Sequence, residues 1–205
     1  MLMLYSWVAF WLVFLIGGLY FYNHKQAVLL PNTYVSDEHL LKTVSKNALL
    51  SLLFVPFTEL IPTLIVVPNS LVGYMMRVVL ALVIGEAIFY TSHRLLHHPK
   101  LYHYHKMHHT FISPHPIAGL YASQLEYFVS NHLSMVIPLK MISCYNPYML
   151  MLESAIIATN IAKSHSGQDS IYTGSPIHQI HHNENVYNFG FLYIFDYIFG
   201  TLKLK

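Results

Sequence analysis

Seven of the chain's fifteen histidines fall within Thr91–Thr110, which reads TSHRLLHHPKLYHYHKMHHT: His93, His97, His98, His103, His105, His108 and His109. Imidazole is neutral near physiological pH, and its ring nitrogens suit iron, zinc, copper or nickel. On a helix, residues three and four apart share a face. His93 and His97 are therefore a pair, and His105, His108 and His109 a triplet. The triplet spacing returns as His178, His181 and His182. Each set can aim two or three imidazoles at one point. Eight such ligands exceed the capacity of one ion, so two metals are the economical reading. The chemistry expected is that of a polynuclear metal site at a membrane surface, assembled from several helix ends.

Any one histidine, taken alone, reads as a surface or hydrogen-bonded core residue; the set does not. His165, in Ser164-His165-Ser166-Gly167, is placed to complete the site. His98 and His103 fall off the faces just defined and read as surface or supporting residues. His115 precedes Pro116 and reads as loop-shaping; His24, His39 and His132 read as structural or interfacial. Glu86 lies seven residues before His93, about two helical turns, on the same face. An ionisable residue inside an apolar run needs a partner, and the expectation is that Glu86 hydrogen-bonds a ligand imidazole and fixes its tautomer. Glu126, Glu153, Asp169 and Asp196 are further carboxylate candidates, and Glu59 is expected to pair with Arg77. The single cysteine, Cys144, rules out a disulfide within the chain and a Cys-based zinc site; it reads as a small buried hydrophobe. Many histidines without cysteine suit iron used for dioxygen chemistry, with zinc left open by ligand type alone.

The elements that carry these residues read as membrane helices. Hydrophobic residues make up 55% of the chain and charged ones 10%, far below the ~25% charged of an average soluble domain. The net charge of +2 and scattered basic residues point away from nucleic acid. Leu2–Tyr22 is apolar except for Ser6 and long enough to span a bilayer. It lacks a basic leader and cleavage site, so a retained helix is expected, with Trp7, Trp11, Tyr20 and Tyr22 as interfacial anchors. Ser36 caps a short amphipathic helix. Ala48–Val67, kinked or split by Pro56 and Pro62, and Leu71–Thr91 form an expected membrane hairpin around the turn Pro68-Asn69-Ser70. Phe128–Ile142 and Tyr148–Ala162, divided by Asn146-Pro147, form a shorter, shallow or re-entrant pair. If the first span exits to the cytosol, Lys25, Lys42, Lys46, Arg94, Lys100, Lys106, Lys163, Lys203 and Lys205 share one side, and Arg77 and Lys140 lie elsewhere. The positive-inside rule makes the histidine side cytosolic. The fold class is all-α: multi-span membrane helices under a cytosolic-face, helical, histidine-rich cap, in one membrane domain, 1–205.

At these residues the sequence resembles the fatty acid hydroxylase / sterol desaturase superfamily of integral-membrane non-haem di-iron enzymes. Its pattern, His-x-x-x-His and two copies of His-x-x-His-His, is met by His93–His97, His105–His109 and His178–His182. Glu86 and Tyr90 stand where the family has an acidic residue and a Tyr ahead of His-Arg. His165-Ser166-Gly167 matches its His-Ser-Gly, Asn188-Phe189-Gly190 its Asn-Tyr-Gly, and Asp196 with Phe199-Gly200-Thr201 its closing element. The likeness covers roughly Leu71–Thr201. A His-Pro-x-Glu element common in the family reads Ser123-Gln124-Leu125-Glu126, so only its Glu survives, and the chain ends four residues after Gly-Thr.

The resemblance implies two irons held by His93, His97, His105, His108, His109, His165, His178, His181 and His182, with zinc as the occupant of a recombinant or inactive form. Glu86, Tyr90, Glu126, Asn188 and Asp196 become supporting candidates. It also implies dioxygen as co-substrate, a lipid or sterol substrate, a separate electron-donor and reductase system, and an endoplasmic-reticulum-type membrane in a eukaryote. Residues 1–70 then supply the anchor and first half of a hairpin, and 71–201 the catalytic region. The expected reaction is hydroxylation or desaturation of a lipid or sterol C–H bond. The rival is a catalytically inactive membrane metal-binding or scaffold protein of the same fold, slightly favoured by the lost His-Pro pair and the short C-terminus. A metal transporter would instead place its ligands at the bilayer midplane.

Overall fold

A computed structural model describes residues 2–23, 36–111, 115–143, 147–167 and 175–204. His24, Lys25, Cys144, Asn146, Asp169 and Lys205 lie outside them. The described chain is helical: α1 Leu2–Asn23, α2 Asp37–Phe54, α3 Leu71–Leu96, α4 Tyr102–His105, α5 Gln124–Glu126, α6 Leu133–Met141, α7 Pro147–Ser164, α8 Ser175–Glu184 and α9 Ile194–Ile198. Between α5 and α6, Tyr127–His132 form a π-helical turn. The only strand pairing among the described residues is two residues long and parallel, Ile65 with Ile142 and Val66 with Ser143.

Three helical stretches, Met3–Phe21, Asp37–Leu60 and Leu71–Leu96, are long and apolar enough to cross a membrane. The second begins earlier than its apolar run suggests. Ser36 caps it, accepting a hydrogen bond from the His39 amide at 3.3 Å, and α2 then runs without a break from its polar start to Phe54. Pro56 ends the α-helical part, because proline offers no amide and crowds the preceding turn; the chain tightens to a 3-10 helix, Val55–Leu60.

The helices do not pair in the order their sequence neighbours suggest. The expected hairpin of the second and third runs is not a packed pair. α3 packs along α6, and α1 along α7. The reason is side-chain size and polarity. Ser6 of α1 meets Ser154 of α7, Oγ to Oγ at 2.5 Å, and Gly17 leaves room for Ala162. Small residues let helix backbones approach where the hydrophobic effect cannot drive association. The indoles of Trp7 and Trp11 also bind within the bundle. Both indole N–H groups donate to Ser51 Oγ on α2, at 2.9 and 3.4 Å, and Trp11 is buried.

One end of this bundle is built for chemistry and the other for anchoring. At the far end, fully buried Arg77 pairs with Glu153 of α7 at 3.0 Å and donates to the carbonyls of Leu139 and Ile142. The expected Glu59–Arg77 pair is therefore corrected: Glu59 pairs with Lys140 at 2.7 Å. Burial explains the exchange, because a buried guanidinium needs several acceptors at once, and only the α6–α7 end offers them. At the near end, the α1 C-terminus, α2 and the α7 C-terminus meet the 116–122 segment. Asn47 of α2 donates to the carbonyls of Leu120 and Ala122, both at 3.1 Å.

Candidate metal centre

The three histidine motifs and His165 arrive at the near end from four directions. α3 delivers His93 and, as its C-cap, His97. α4 and the following 3-10 turn deliver His105, His108 and His109. The end of α7 delivers His165 and α8 delivers the last triplet. The imidazoles form two groups. His93, His97, His105, His109 and His181 make one; His108, His165, His178 and His182 make the other. Within each group, one ring nitrogen per residue lies within 4.8 Å of all the others. The return of His178–His182 to the face of His105–His109, on which the two-metal reading depended, is thus present.

The partition differs from the sequence reading in one respect. Each triplet was read as aiming at a single point. Instead each is divided, His105 and His109 going to one group and His108 to the other, His178 and His182 to one and His181 to the other. In α8 helical geometry accounts for it: from His178, the fourth-following residue turns about 40° one way and the third-following about 60° the other. That triplet therefore straddles two neighbouring points.

The nitrogens that meet are Nε2. His93 and His105 are 3.0 Å apart, His105 and His109 2.8 Å, His97 and His181 3.2 Å. In the second group His165 and His178 are 2.9 Å apart, His178 and His182 3.1 Å, His108 and His165 3.4 Å. In five of the nine rings a hydrogen bond at the far nitrogen fixes the tautomer. His93 Nδ1 donates to the Phe189 carbonyl at 2.6 Å and His181 Nδ1 to that of Tyr187 at 2.7 Å. His105 Nδ1 donates to Glu126 Oε1 at 2.7 Å. His108 and His165 donate to the carbonyls of Tyr121 and Ile161, at 3.3 and 3.0 Å. With the proton on Nδ1, Nε2 presents a lone pair. Lone pairs facing one another at such distances repel unless a cation sits among them. Ligand nitrogens about 2.0–2.1 Å from one metal ion are themselves roughly 2.9–3.4 Å apart. The donor set therefore fits two metal ions.

Burial keeps these rings neutral and available. It pushes His97 and His108 down to about 4 and His165 to about 3. It lowers His105, His178, His181 and His182 further, with neighbouring imidazoles adding to the effect. Burial also pushes the Glu126 carboxyl well up. Without a cation the His105–Glu126 pair prefers to be uncharged; a dication on Nε2 is the charge that would hold Glu126 ionised.

The supporting residues do different work from that expected. Glu86 reaches no imidazole among the described residues. Its Oε2 accepts the amides of Phe191 and Leu192, at 2.8 and 3.0 Å. Asp196 accepts those of Phe189 and Gly190, at 2.9 and 2.7 Å, and the Thr201 hydroxyl at 2.7 Å. The two carboxylates thus clamp the 187–192 loop whose carbonyls orient His93 and His181. Gly190 is required between them, since a Cβ there would lie 2.3 Å from Glu86 Oε1. Asn188, with a left-handed φ of 58°, ties Ile177 of α8 to Lys203. Tyr90 accepts from Arg94 at 2.8 Å and meets Thr201 at 3.2 Å. His98 and His103 are exposed, and Glu153 belongs to the anchoring end.

Four features escaped sequence reasoning. The acceptors from Tyr121, Ile161, Tyr187 and Phe189 are backbone carbonyls, which no side chain announces. Asn185 and Asn188, both at positive φ, are the one signal available, because asparagine tolerates that region better than most residues.

The matching family model is fatty acid hydroxylase, over residues 78–201. The chain belongs to the fatty acid hydroxylase family. It is 36% identical over 131 residues to human fatty acid hydroxylase domain-containing protein 2, covering 62% of this chain and 39% of that protein. It is 32% identical over 133 residues to methylsterol monooxygenase 1 of Gallus gallus, covering 58% and 43%. A fatty acid hydroxylase of Mycosarcoma maydis is 36% identical over 118 residues, covering 56% and 30%. The chain spans under half the length of these curated relatives. No solved structure matches it. The family region begins within α3 and takes in all nine histidines, while α1 and α2 lie before it.

A slot runs from the imidazoles into the bundle between α3, α6 and α7. His93, His105, His108, His165 and His178 stand at its upper end; Ala81, Leu82, Met135, Ile156 and Ile157 line its depth.

Proposed function

We propose that this fatty acid hydroxylase family member oxidises a C–H bond of a lipid or sterol, using dioxygen, at a di-iron centre held by the nine histidines. One observation carries the reading: neutral imidazoles with inward lone pairs gather into adjacent groups of five and four at the head of an apolar slot. His93, His97, His105, His109 and His181 would hold one ion and His108, His165, His178 and His182 the other. The bound irons would supply the activation of dioxygen that attack on an unactivated C–H bond requires.

The rest of the work falls to the chain. Glu126 and the loop carbonyls keep the proton on Nδ1 and the ring planes fixed. The slot walls align a hydrocarbon chain and exclude water from the reacting carbon. Hydroxylation consumes dioxygen, two electrons and two protons, giving an alcohol and water; desaturation uses the same inputs and gives an alkene and two waters. The electrons come from a separate reductase system. Residues 1–70 act as anchor and 71–201 as catalytic region. The histidine end faces the cytosol, in an endoplasmic-reticulum-type membrane in a eukaryote. Only Arg77 and Lys140 lie on the opposite side, against nine basic residues on the histidine side, and the count of Lys and Arg is what supports this orientation.

The inactive-scaffold reading drew on Ser123-Gln124 replacing His-Pro. Ser123 still caps the helix that carries Glu126, accepting the Glu126 amide at 3.2 Å, so the replacement keeps the carboxylate in place. The test is lipid profiling of cells expressing the wild type beside His108→Ala, with metal analysis of both purified proteins. Iron and a product present only with the wild type support the proposal. A single zinc, with no wild-type-specific product, would replace it with the scaffold reading.

A further inference from the structure

The slot is not uniformly apolar. Asn131, on the π-helical turn, and Asn160, on α7, both belong to its lining. Each lies a short way down its helix from the imidazole end. Asn131 follows Glu126 by five residues and Asn160 precedes His165 by five, about 7–8 Å along each helix. The π turn contributes, since its wider i→i+5 spacing brings Ser130 and Asn131 together onto the slot face. Ser130 is already engaged by the Ser92 hydroxyl at 3.0 Å. Neither carboxamide makes a side-chain hydrogen bond to a described residue. Below them the walls return to Met135, Leu82, Ile156 and Ile157.

Two carboxamides on the lining of one membrane-embedded slot, with no side-chain hydrogen bond to a described residue, are costly unless an occupant satisfies them. A plain hydrocarbon cannot. Resting on the oxidase reading above, we infer that Asn131 and Asn160 select a substrate with a hydroxyl or carbonyl oxygen a few bonds from the carbon to be oxidised. The hydrocarbon skeleton continues past that oxygen into the deeper slot. A carboxamide both donates and accepts, so the pair serves either oxygen. Holding the oxygen fixes which carbon stands beneath the imidazoles, so the carboxamides set position of attack as well as choice of lipid.

The test uses the purified full chain in detergent micelles, given an equimolar mixture of octadecane, octadecanol and the matching methyl ketone. Bound lipid is extracted after gel filtration and compared with empty micelles. The wild type is expected to enrich the alcohol or the ketone over the alkane about tenfold or more, the scale of one or two buried hydrogen bonds. Enrichment of the alcohol alone identifies a hydroxyl as the oxygen; equal enrichment of the ketone identifies an acceptor. Asn131→Leu and Asn160→Leu should each reduce the preference severalfold, and the double variant should abolish it while still taking up alkane. Metal content equal to that of the wild type shows that each variant has folded. His108→Ala should keep the preference, which separates failure of this inference from failure of the oxidase reading. Equal uptake of alkane and alcohol by the wild type, or a preference unchanged in both single variants, would overturn the inference.

Discussion

The five-imidazole and four-imidazole groups are assembled from the same histidine motifs, yet they are held differently. In the first, His105 donates to a buried carboxylate, and His93 and His181 donate to carbonyls at 2.6–2.7 Å on a loop that two further carboxylates clamp. In the second, the donors His108 and His165 meet neutral groups, carbonyls at 3.3 and 3.0 Å and, for His165, the Ser164 hydroxyl at 3.1 Å. A charged acceptor raises imidazole basicity and stiffens the ring more than a neutral one does. The first group should therefore bind its ion more tightly and release it last. Such a difference suits a pair in which one ion is an anchor and the other is more exchangeable.

The largest effect should come from removing ligands. His181→Ala and His178→Ala should each lose one of two metal equivalents, and each should lower turnover at least ~100-fold, since losing a ligand exceeds the cost of losing an outer partner. Metal quantification during stepwise chelation decides the rest: His178→Ala should retain the slowly released ion and His181→Ala the quickly released one. The reverse order would break the comparison. Next in size is Glu126→Leu, expected to weaken the first ion 10–100-fold and leave the second unchanged, with Glu126→Gln nearer the lower end. Competition with a metal indicator reads both constants; equal weakening of the two ions would show that Glu126 supports the whole cluster.

Gly190→Ala should act on the first group alone. The added Cβ must displace Glu86, shifting the carbonyls that orient His93 and His181. A severalfold faster loss of the tight ion is expected, and no change at the second. The smallest effect should be that of Lys140→Ala at the opposite end. Its partner Glu59 is largely exposed, and such pairs contribute below about 1 kcal/mol. Thermal unfolding in micelles and chelation kinetics should both match the wild type.

Much of the site was legible because its spacing is local. His93 with His97, and each triplet, are set by the helical repeat, which needs no knowledge of the rest of the chain. Two other local rules read correctly, the Ser36 cap and the break at Pro56. The errors fell where a partner had to be chosen across the fold. Arg77 pairs with Glu153 rather than Glu59, and Glu86 clamps a loop rather than an imidazole. Each choice follows from which helices pack together, and small residues such as Ser6, Gly17 and Ser154 carry too weak a signal to announce it.

By itself, then, the sequence determined that imidazoles would stand at helical spacing at the ends of apolar runs. Only the tertiary structure decided that the count divides five and four, that His165 joins the smaller group, and that Glu126 rather than Glu86 meets an imidazole. The physical reason is that a helix fixes the angle between its own side chains, whereas a shared point in space exists only once four chain segments have been packed against one another.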